Sequence, residues 1–144
     1  MPFEIRPYQE ADITNVVNLW EQCGLVTPQN NPHKDIATKI RFQPELFLIA
    51  QLDWQLVGTV MAGYEGHRGW LNYLAVDPEH QRKGYGRLLV EAAERRLKEL
   101  GCPKVNLQIR ESNKPVMNFY RAIGYVTEDR IGMGKRIELA DTND

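Results

Sequence analysis

Cysteine is scarce in this chain, with two residues among 144. Cys23 and Cys102 lie far apart and form no CxxC pair or other cluster of metal ligands. We therefore expect two small buried side chains and no metal site. The sequence also lacks an apolar run long enough to span a bilayer and the apolar segment of a signal peptide. These absences predict a cytoplasmic protein that does not act at a membrane.

An excess of charge of one sign is also absent, because 18 basic and 19 acidic residues give a formal net charge of −1. A chain with this balance has no general attraction for nucleic acid or anionic membranes, so any anion site must be local. The length, with 42% hydrophobic and 26% charged residues, is typical of one globular domain. We expect a single domain over residues 1–144.

The hydrophobic patterns predict an α/β chain of the α+β kind. Apolar runs predict strands at Phe3–Arg6, Leu46–Leu52, Gln55–Tyr64, Trp70–Val76, Val105–Arg110, Tyr125–Thr127 and Ile131–Leu139. Helical spacing of apolar residues predicts helices at Ile13–Trp20, Asp35–Phe42, Tyr85–Leu100 and Pro115–Ile123. Hairpins followed by strand–helix–strand units predict a mixed sheet of about six to seven strands with helices on both faces.

The most informative segment covers residues 74–89, where a strand passes through a basic, glycine-containing turn into an amphipathic helix. The N–H groups of a first helical turn need acceptors, and the helix dipole adds partial positive charge there. Gly84 and Gly86 allow an anion to approach the backbone closely. Full charges beside them come from Arg82, Lys83 and Arg87. The segment therefore predicts a phosphate site.

Two other phosphate loops do not fit this segment. The GxxxxGK[ST] pattern is absent, and Leu89 occupies the place of the third glycine in a dinucleotide-binding fingerprint. The alternative interpretation is a helix start with solvated basic side chains. Four features together favour the phosphate site. They are the strand, its end at Asp77-Pro78, the basic turn and the paired glycines.

The run Gln81-Arg82-Lys83-Gly84-Tyr85-Gly86 resembles the (Gln/Arg)-x-x-Gly-x-(Gly/Ala) motif of the GNAT N-acetyltransferase superfamily. Leu74–Pro78 resembles the strand before that motif, and Asn113 through Tyr125 is similar to the second signature of the family. The similarity covers Trp70–Val126. It implies the GNAT fold with a splayed acetyl-CoA cleft, and transfer of the acetyl group of acetyl-CoA to a primary amine of a small molecule, peptide or protein.

The resemblance implies roles for particular residues. Leu74, Ala75 and Val76 would pair through their main chain with the pantetheine arm of coenzyme A, where their strand splays from Val105–Arg110. Asn113 would steady the pantetheine. The backbone N–H groups that would cradle the pyrophosphate belong to Gln81, Arg82, Lys83, Gly84, Tyr85, Gly86 and Arg87.

Transfer to an amine also needs a proton donor for the thiolate and a base for the amine. Tyr120 resembles the general acid of the family, since a phenol with a pKa of ~10 holds its proton at neutral pH. The alternative is a core aromatic residue beside Phe119. Gln108 occupies the place of a glutamate in the similar Leu-Glu-Val-Arg strand of ribosomal-protein N-terminal acetyltransferases. The remaining candidates for the base are Glu65, His67 and Glu111.

Glu65 is the favoured base, because it follows a central strand near the expected cleft, although a solvated loop carboxylate is the alternative. We expect the early helices and the Leu25–Asp35 and Glu65–Gly69 loops to select the unidentified amine. A non-catalytic acyl-CoA-binding regulatory module and a nucleotide or phosphoprotein interaction domain are the alternative functions. Homodimers are common in the family, and nothing in the sequence fixes the oligomeric state.

Overall fold

The structure is a computed structural model that describes residues 2–138. Its strands are β1 (Phe3–Pro7), β2 (Phe47–Leu52), β3 (Gln55–Tyr64), β4 (Gly69–Val76) and β5 (Val105–Asn106). Its helices are α1 (Ile13–Gln22), α2 (Pro32–Lys39), α3 (Tyr85–Glu99) and α4 (Lys114–Ala122). The chain divides into two compact units, the first ending at Leu107 and the second beginning at Gln108. A single domain over residues 1–144 stays a prediction.

The first unit is built around one mixed sheet. Its strands lie in the order β1-β2-β3-β4-β5. Neighbouring strands from β1 to β4 are antiparallel, and β5 runs parallel to β4. The mixed sheet predicted from the sequence is therefore confirmed.

Helices cover both faces of this sheet. Gly58 and Thr59 are consecutive in β3, so their side-chain positions point to opposite faces. On one face, Trp20 of α1 donates a hydrogen bond from Nε1 to Thr59 Oγ1 at 2.9 Å. On the other face, a Cβ atom added to Gly58 would lie 2.8 Å from Cδ1 of Leu89 in α3. Both Trp20 and Leu89 are completely buried.

The start of α2 differs from the prediction, because the helix begins at Pro32 rather than at Asp35. Asn31 is its N-cap, and its side chain accepts a hydrogen bond from the backbone N–H of Lys34 at 3.2 Å. Proline suits the first helical position, where the missing N–H would have no partner. The Asn-Pro pair that looked like part of a loop is therefore a helix start signal.

The sheet has five strands within residues 2–138, fewer than the six to seven predicted. The strand predicted at Val105–Arg110 is limited to Val105–Asn106. No strand forms at Tyr125–Thr127 or at residues 131–138, and Leu139 lies outside the described residues. The apolar side chains of that last segment are 91–95% exposed, as for Ile131 and Ile137. An alternating pattern forms a strand only where a neighbouring backbone completes the ladder.

Both cysteines are free and half-buried, which is less burial than the sequence predicted. Cys23 donates a hydrogen bond from Sγ to the carbonyl of Val76 at 3.4 Å. Across residues 2–138, no group of three or more histidine, cysteine, aspartate and glutamate residues could hold a metal ion. The helices in this part of the chain include none that is long and apolar enough to cross a membrane.

Candidate functional site

Most of β4 has a neighbouring strand on one side only. It pairs with β3 along its length, whereas its ladder with β5 ends at Trp70 and Asn106. Within residues 2–138, no strand pairs with Leu71–Val76 on the β5 side. Backbone groups on such an edge can pair with an extended ligand. This stretch includes the residues predicted to bind pantetheine, which are Leu74, Ala75 and Val76.

The turn that joins β4 to α3 has the backbone geometry of an anion site. Arg82 and Gly84 are both left-handed, with φ of 66° and 86°. Turns of this kind gather successive N–H groups into a concave nest. Gly84 is the N-cap of α3 and has no side chain to cap it, and the first turn, which includes Gly86, contains no acidic residue. Its N–H groups are therefore suited to an external anion.

Two side chains hold this turn against the sheet. Gln81 donates a hydrogen bond from Nε2 to the carbonyl of Val76 at 3.0 Å. The ring of Tyr85 stacks on Phe3 of β1, with centroids 4.8 Å apart. The turn is thus joined to the last residue of β4 and to the edge strand, so its position follows from the sheet.

The three basic residues of the turn are not equivalent. Arg87 forms an ion pair with Glu91, one helical turn later, with a distance of 3.0 Å from Nε to Oε2. Arg82 and Lys83 are exposed. The latter two are therefore the better candidates to neutralise a bound phosphate.

The second unit contains the other predicted site residues, Asn113 and Tyr120. Asn113 is the N-cap of α4, and its Oδ1 accepts a hydrogen bond from the backbone N–H of Val116 at 3.4 Å. Tyr120 is 6% exposed and contacts Phe119 and Tyr125 edge to face. Burial raises the pKa of Tyr120 to about 12. The phenol therefore stays protonated at physiological pH, and its role as an acid stays a prediction.

Glu65 lies in the loop between β3 and β4. Its Oε1 accepts hydrogen bonds from the backbone N–H groups of Arg68 and His67. These bonds lower the pKa of Glu65 and make it a weaker base than an ordinary glutamate. The loop precedes β4, so the eight residues of that strand separate the loop from Val76, the last residue of β4, by roughly 25 Å. The assignment of Glu65 as the base stays a prediction.

Tyr73 interrupts the regular course of β4, and the sequence did not predict this feature. It is left-handed, with φ of 53°, and the β3–β4 register shifts between Thr59 and Met61. Its ring stacks on Trp20, with centroids 3.7 Å apart. Strained residues of this kind concentrate at functional sites. We call this irregularity at Tyr73 a bulge. Apolar alternation in the sequence does not predict a bulge, because a bulge depends on the register of the partner strand.

A buried hydroxyl ties this bulge to helix α1. Thr59 Oγ1 accepts a hydrogen bond from Trp20 Nε1 at 2.9 Å and donates one to the carbonyl of Tyr73 at 2.8 Å. Thr59 and Trp20 are completely buried. The bulge is therefore fixed by the hydrogen bond from Thr59 to the carbonyl of Tyr73 and by the stacking of the Tyr73 ring on Trp20.

We expect Thr59→Val to lower the free energy of unfolding by about 2 kcal/mol, because it leaves a buried donor and a buried acceptor unpaired at nearly constant volume. Thr59→Ser keeps the hydroxyl and is expected to cost less than half as much. Urea unfolding monitored by circular dichroism measures both values. Equal losses in the two variants would show that the hydroxyl does not stabilise the bulge.

Comparison with protein families matches residues 13–125 to the model of the Acetyltransferase (GNAT) family. The chain belongs to this family. The match includes the basic turn and α4, so the GNAT resemblance inferred from the sequence is confirmed. Acetyltransferase YE1169 from Yersinia enterocolitica is 43% identical over 134 residues, which cover 93% of this chain and 95% of that protein.

Solved structures share the fold of this GNAT chain. Ard1 from Thermoplasma volcanium has a TM-score of 0.78 at 23% identity, covering 88% of this chain and 84% of that one. The PaiA N-acetyltransferase from Thermoplasma acidophilum, in complex with coenzyme A, has a TM-score of 0.71 at 22% identity, covering 92% and 94%. The GNAT fold predicted from the sequence is therefore confirmed.

Proposed function

We propose that this GNAT protein transfers the acetyl group of acetyl-CoA directly to a primary amine. The geometry of the turn at residues 81–87 carries the proposal, because it combines left-handed Arg82 and Gly84 with an uncapped helix start. A pyrophosphate has the charge and size that such a nest binds. The PaiA N-acetyltransferase was solved with coenzyme A, which supports the same ligand for a chain of the same fold.

The edge of β4 supplies the second part of the proposed coenzyme site. The pantetheine arm contains amide groups, and Leu74–Val76 offers main-chain donors and acceptors without a strand partner on the β5 side within residues 2–138. The bond from Gln81 to Val76 fixes the distance between this edge and the turn. In the proposal, a main-chain N–H near Val76 also polarises the thioester carbonyl, and Asn113 steadies the pantetheine.

The reaction requires a neutral amine nitrogen to attack the acetyl carbon. The carbon–sulfur bond then breaks, the amine loses one proton and the departing thiolate gains one. In the proposal, Tyr120 provides the hydrogen bond to the departing sulfur, because its raised pKa keeps the hydroxyl proton in place. Glu65 remains the candidate base from the sequence; with its lowered pKa and the length of β4 between its loop and Val76, it would have to act through a chain of several waters.

The first test is a calorimetric titration of the purified protein with acetyl-CoA, coenzyme A and ATP, followed by an assay of thiol release with a panel of primary amines. We expect saturable binding of both coenzyme forms, little binding of ATP, and thiol release that depends on an amine. A folded protein that does not bind acetyl-CoA would contradict the proposal. Coenzyme binding without release by any amine would favour a non-catalytic acyl-CoA-binding module, and equal competition by ATP would favour a nucleotide-binding domain.

A further inference from the structure

The hydroxyl of Tyr73 is held between two polar side chains from the region around α2. It donates a hydrogen bond to Asp35 Oδ2 at 2.6 Å and accepts one from Asn30 Nδ2. Asn30 is itself fixed, since its Oδ1 accepts from the backbone N–H and hydroxyl of Thr27 and its Nδ2 donates to the carbonyl of Leu25. Burial, together with the bond to Asp35, raises the pKa of Tyr73, so the phenol remains a neutral donor.

The carboxylate of Asp35 differs from that of Asp12, which is buried at the start of α1. Asp12 forms two hydrogen bonds with the guanidinium of Arg6, at 2.8 and 2.9 Å. Asp35 is half-buried, and the partner of its Oδ2 atom is the neutral hydroxyl of Tyr73 rather than a cation. A partly desolvated carboxylate is stabilised strongly by a cation.

The position of this carboxylate relates it to the proposed reaction. Tyr73 directly precedes Leu74–Val76, the segment proposed to bind the pantetheine arm. The stacking on Trp20 and the bond from Thr59 hold Tyr73 in its left-handed conformation. Asp35 is therefore fixed, through the phenol, beside the part of β4 where the acyl group is proposed to lie.

We propose that Asp35, positioned by Tyr73, binds a cationic nitrogen of the acceptor, so that the enzyme selects amines with a second positive charge. This inference rests on the proposed acetyl transfer. The attacking nitrogen must be neutral, whereas a second nitrogen of a diamine remains protonated and can bind the carboxylate. A monoamine has no second nitrogen to bind Asp35 while its one nitrogen attacks, and acceptors with a carboxylate are repelled by it. The acceptor class is thus a diamine or larger polyamine.

The test measures kcat/KM for thiol release with three compounds that share a carbon chain, and the affinity of the diamine for the protein saturated with coenzyme A. The compounds are 1,4-diaminobutane, butylamine and 4-aminobutanoate. We expect kcat/KM to be about tenfold higher for the diamine than for butylamine, and lowest for 4-aminobutanoate. Asp35→Asn keeps an acceptor for the Tyr73 hydroxyl but removes the charge, so we expect it to lower diamine affinity about tenfold with unchanged coenzyme A affinity.

Asp53→Asn is the matched control. Asp53 is exposed in the β2–β3 turn, with φ of 50° that asparagine tolerates, and the same charge is removed there. We expect this variant to bind the diamine as the parent does. Tyr73→Phe should also weaken diamine binding, because the carboxylate of Asp35 loses the hydrogen bond that positions it.

Equal kcat/KM for the three compounds, no diamine binding, or an Asp35→Asn variant that binds the diamine normally would each overturn the inference. Failure of the proposed function has a different signature, namely no acetyl-CoA binding or no thiol release with any amine. If coenzyme A does not bind, the same titrations on the free protein still decide the role of Asp35.

Discussion

Gly84→Glu is expected to reduce the affinity for acetyl-CoA at least about a hundredfold, or ~2.7 kcal/mol. A Cβ atom at Gly84 would meet no other atom within 4 Å, so the new side chain enters open space at the start of α3. The carboxylate would then lie where the pyrophosphate is proposed to bind, and it would occupy the N–H groups of the helix start. Calorimetric titration with acetyl-CoA measures the loss.

Gly101→Glu is the control for backbone strain and added charge. Gly101 follows the other end of α3, has φ of 89° and also has nothing within 4 Å of an added Cβ. Both substitutions place a non-glycine residue in the left-handed region, at a cost of about 1 kcal/mol in stability. We expect only the Gly84 variant to lose affinity for acetyl-CoA. If the two variants bind acetyl-CoA with similar affinities, the turn is excluded as the pyrophosphate site.

Tyr120→Phe is expected to lower kcat about a hundredfold and to leave the KM for acetyl-CoA within about threefold. Phenylalanine fills the same buried position but cannot donate a hydrogen bond to the departing sulfur. Because burial raises the pKa of Tyr120 to about 12, the parent enzyme should show no loss of activity from ionisation of this phenol below about pH 10. Steady-state kinetics across that pH range, with an accepted amine, provides the measurement.

The matched control is Tyr125→Phe, which removes another hydroxyl close by in the second unit, where its ring contacts that of Tyr120. We expect its kcat to remain within about twofold of the parent. A Tyr120→Phe enzyme with normal kcat would make this tyrosine a core residue only. Parallel decreases in both variants, with a lower melting temperature, would point to packing rather than to proton donation.

The sequence predicted correctly those structural elements that are determined by residues close together in the chain. The spacing of Val16, Val17 and Trp20 identified α1, and all three are buried as expected. The basic glycine turn was placed correctly before α3, because its glycines and charges act through the adjacent backbone. Alternation at residues 131–138 failed as a strand signal, since none of the strands in the described part of the chain pairs with this segment.

The Tyr73 bulge and the carboxylate beside it could not be predicted from one sequence. The hydrogen bond from Tyr73 to Asp35 joins residues 38 positions apart, and the bond from Asn30 spans 43 positions. Such pairs are fixed by the packing of α1 and α2 on the sheet, which local patterns do not describe. The sequence did single out the Leu25–Asp35 loop as a region that selects the acceptor, and the network contains residues of that loop.

The left-handed backbone of Arg82 implies a compromise between stability and charge. A residue with a Cβ atom is disfavoured at φ of 66°, and glycine would adopt this conformation without strain. Glycine there would remove about 1 kcal/mol of conformational penalty but would also remove a guanidinium from the turn. Selection for thermal resistance alone would therefore favour glycine at this position. The presence of arginine fits a folded chain that tolerates a local loss of stability to keep a positive charge beside the proposed anion site.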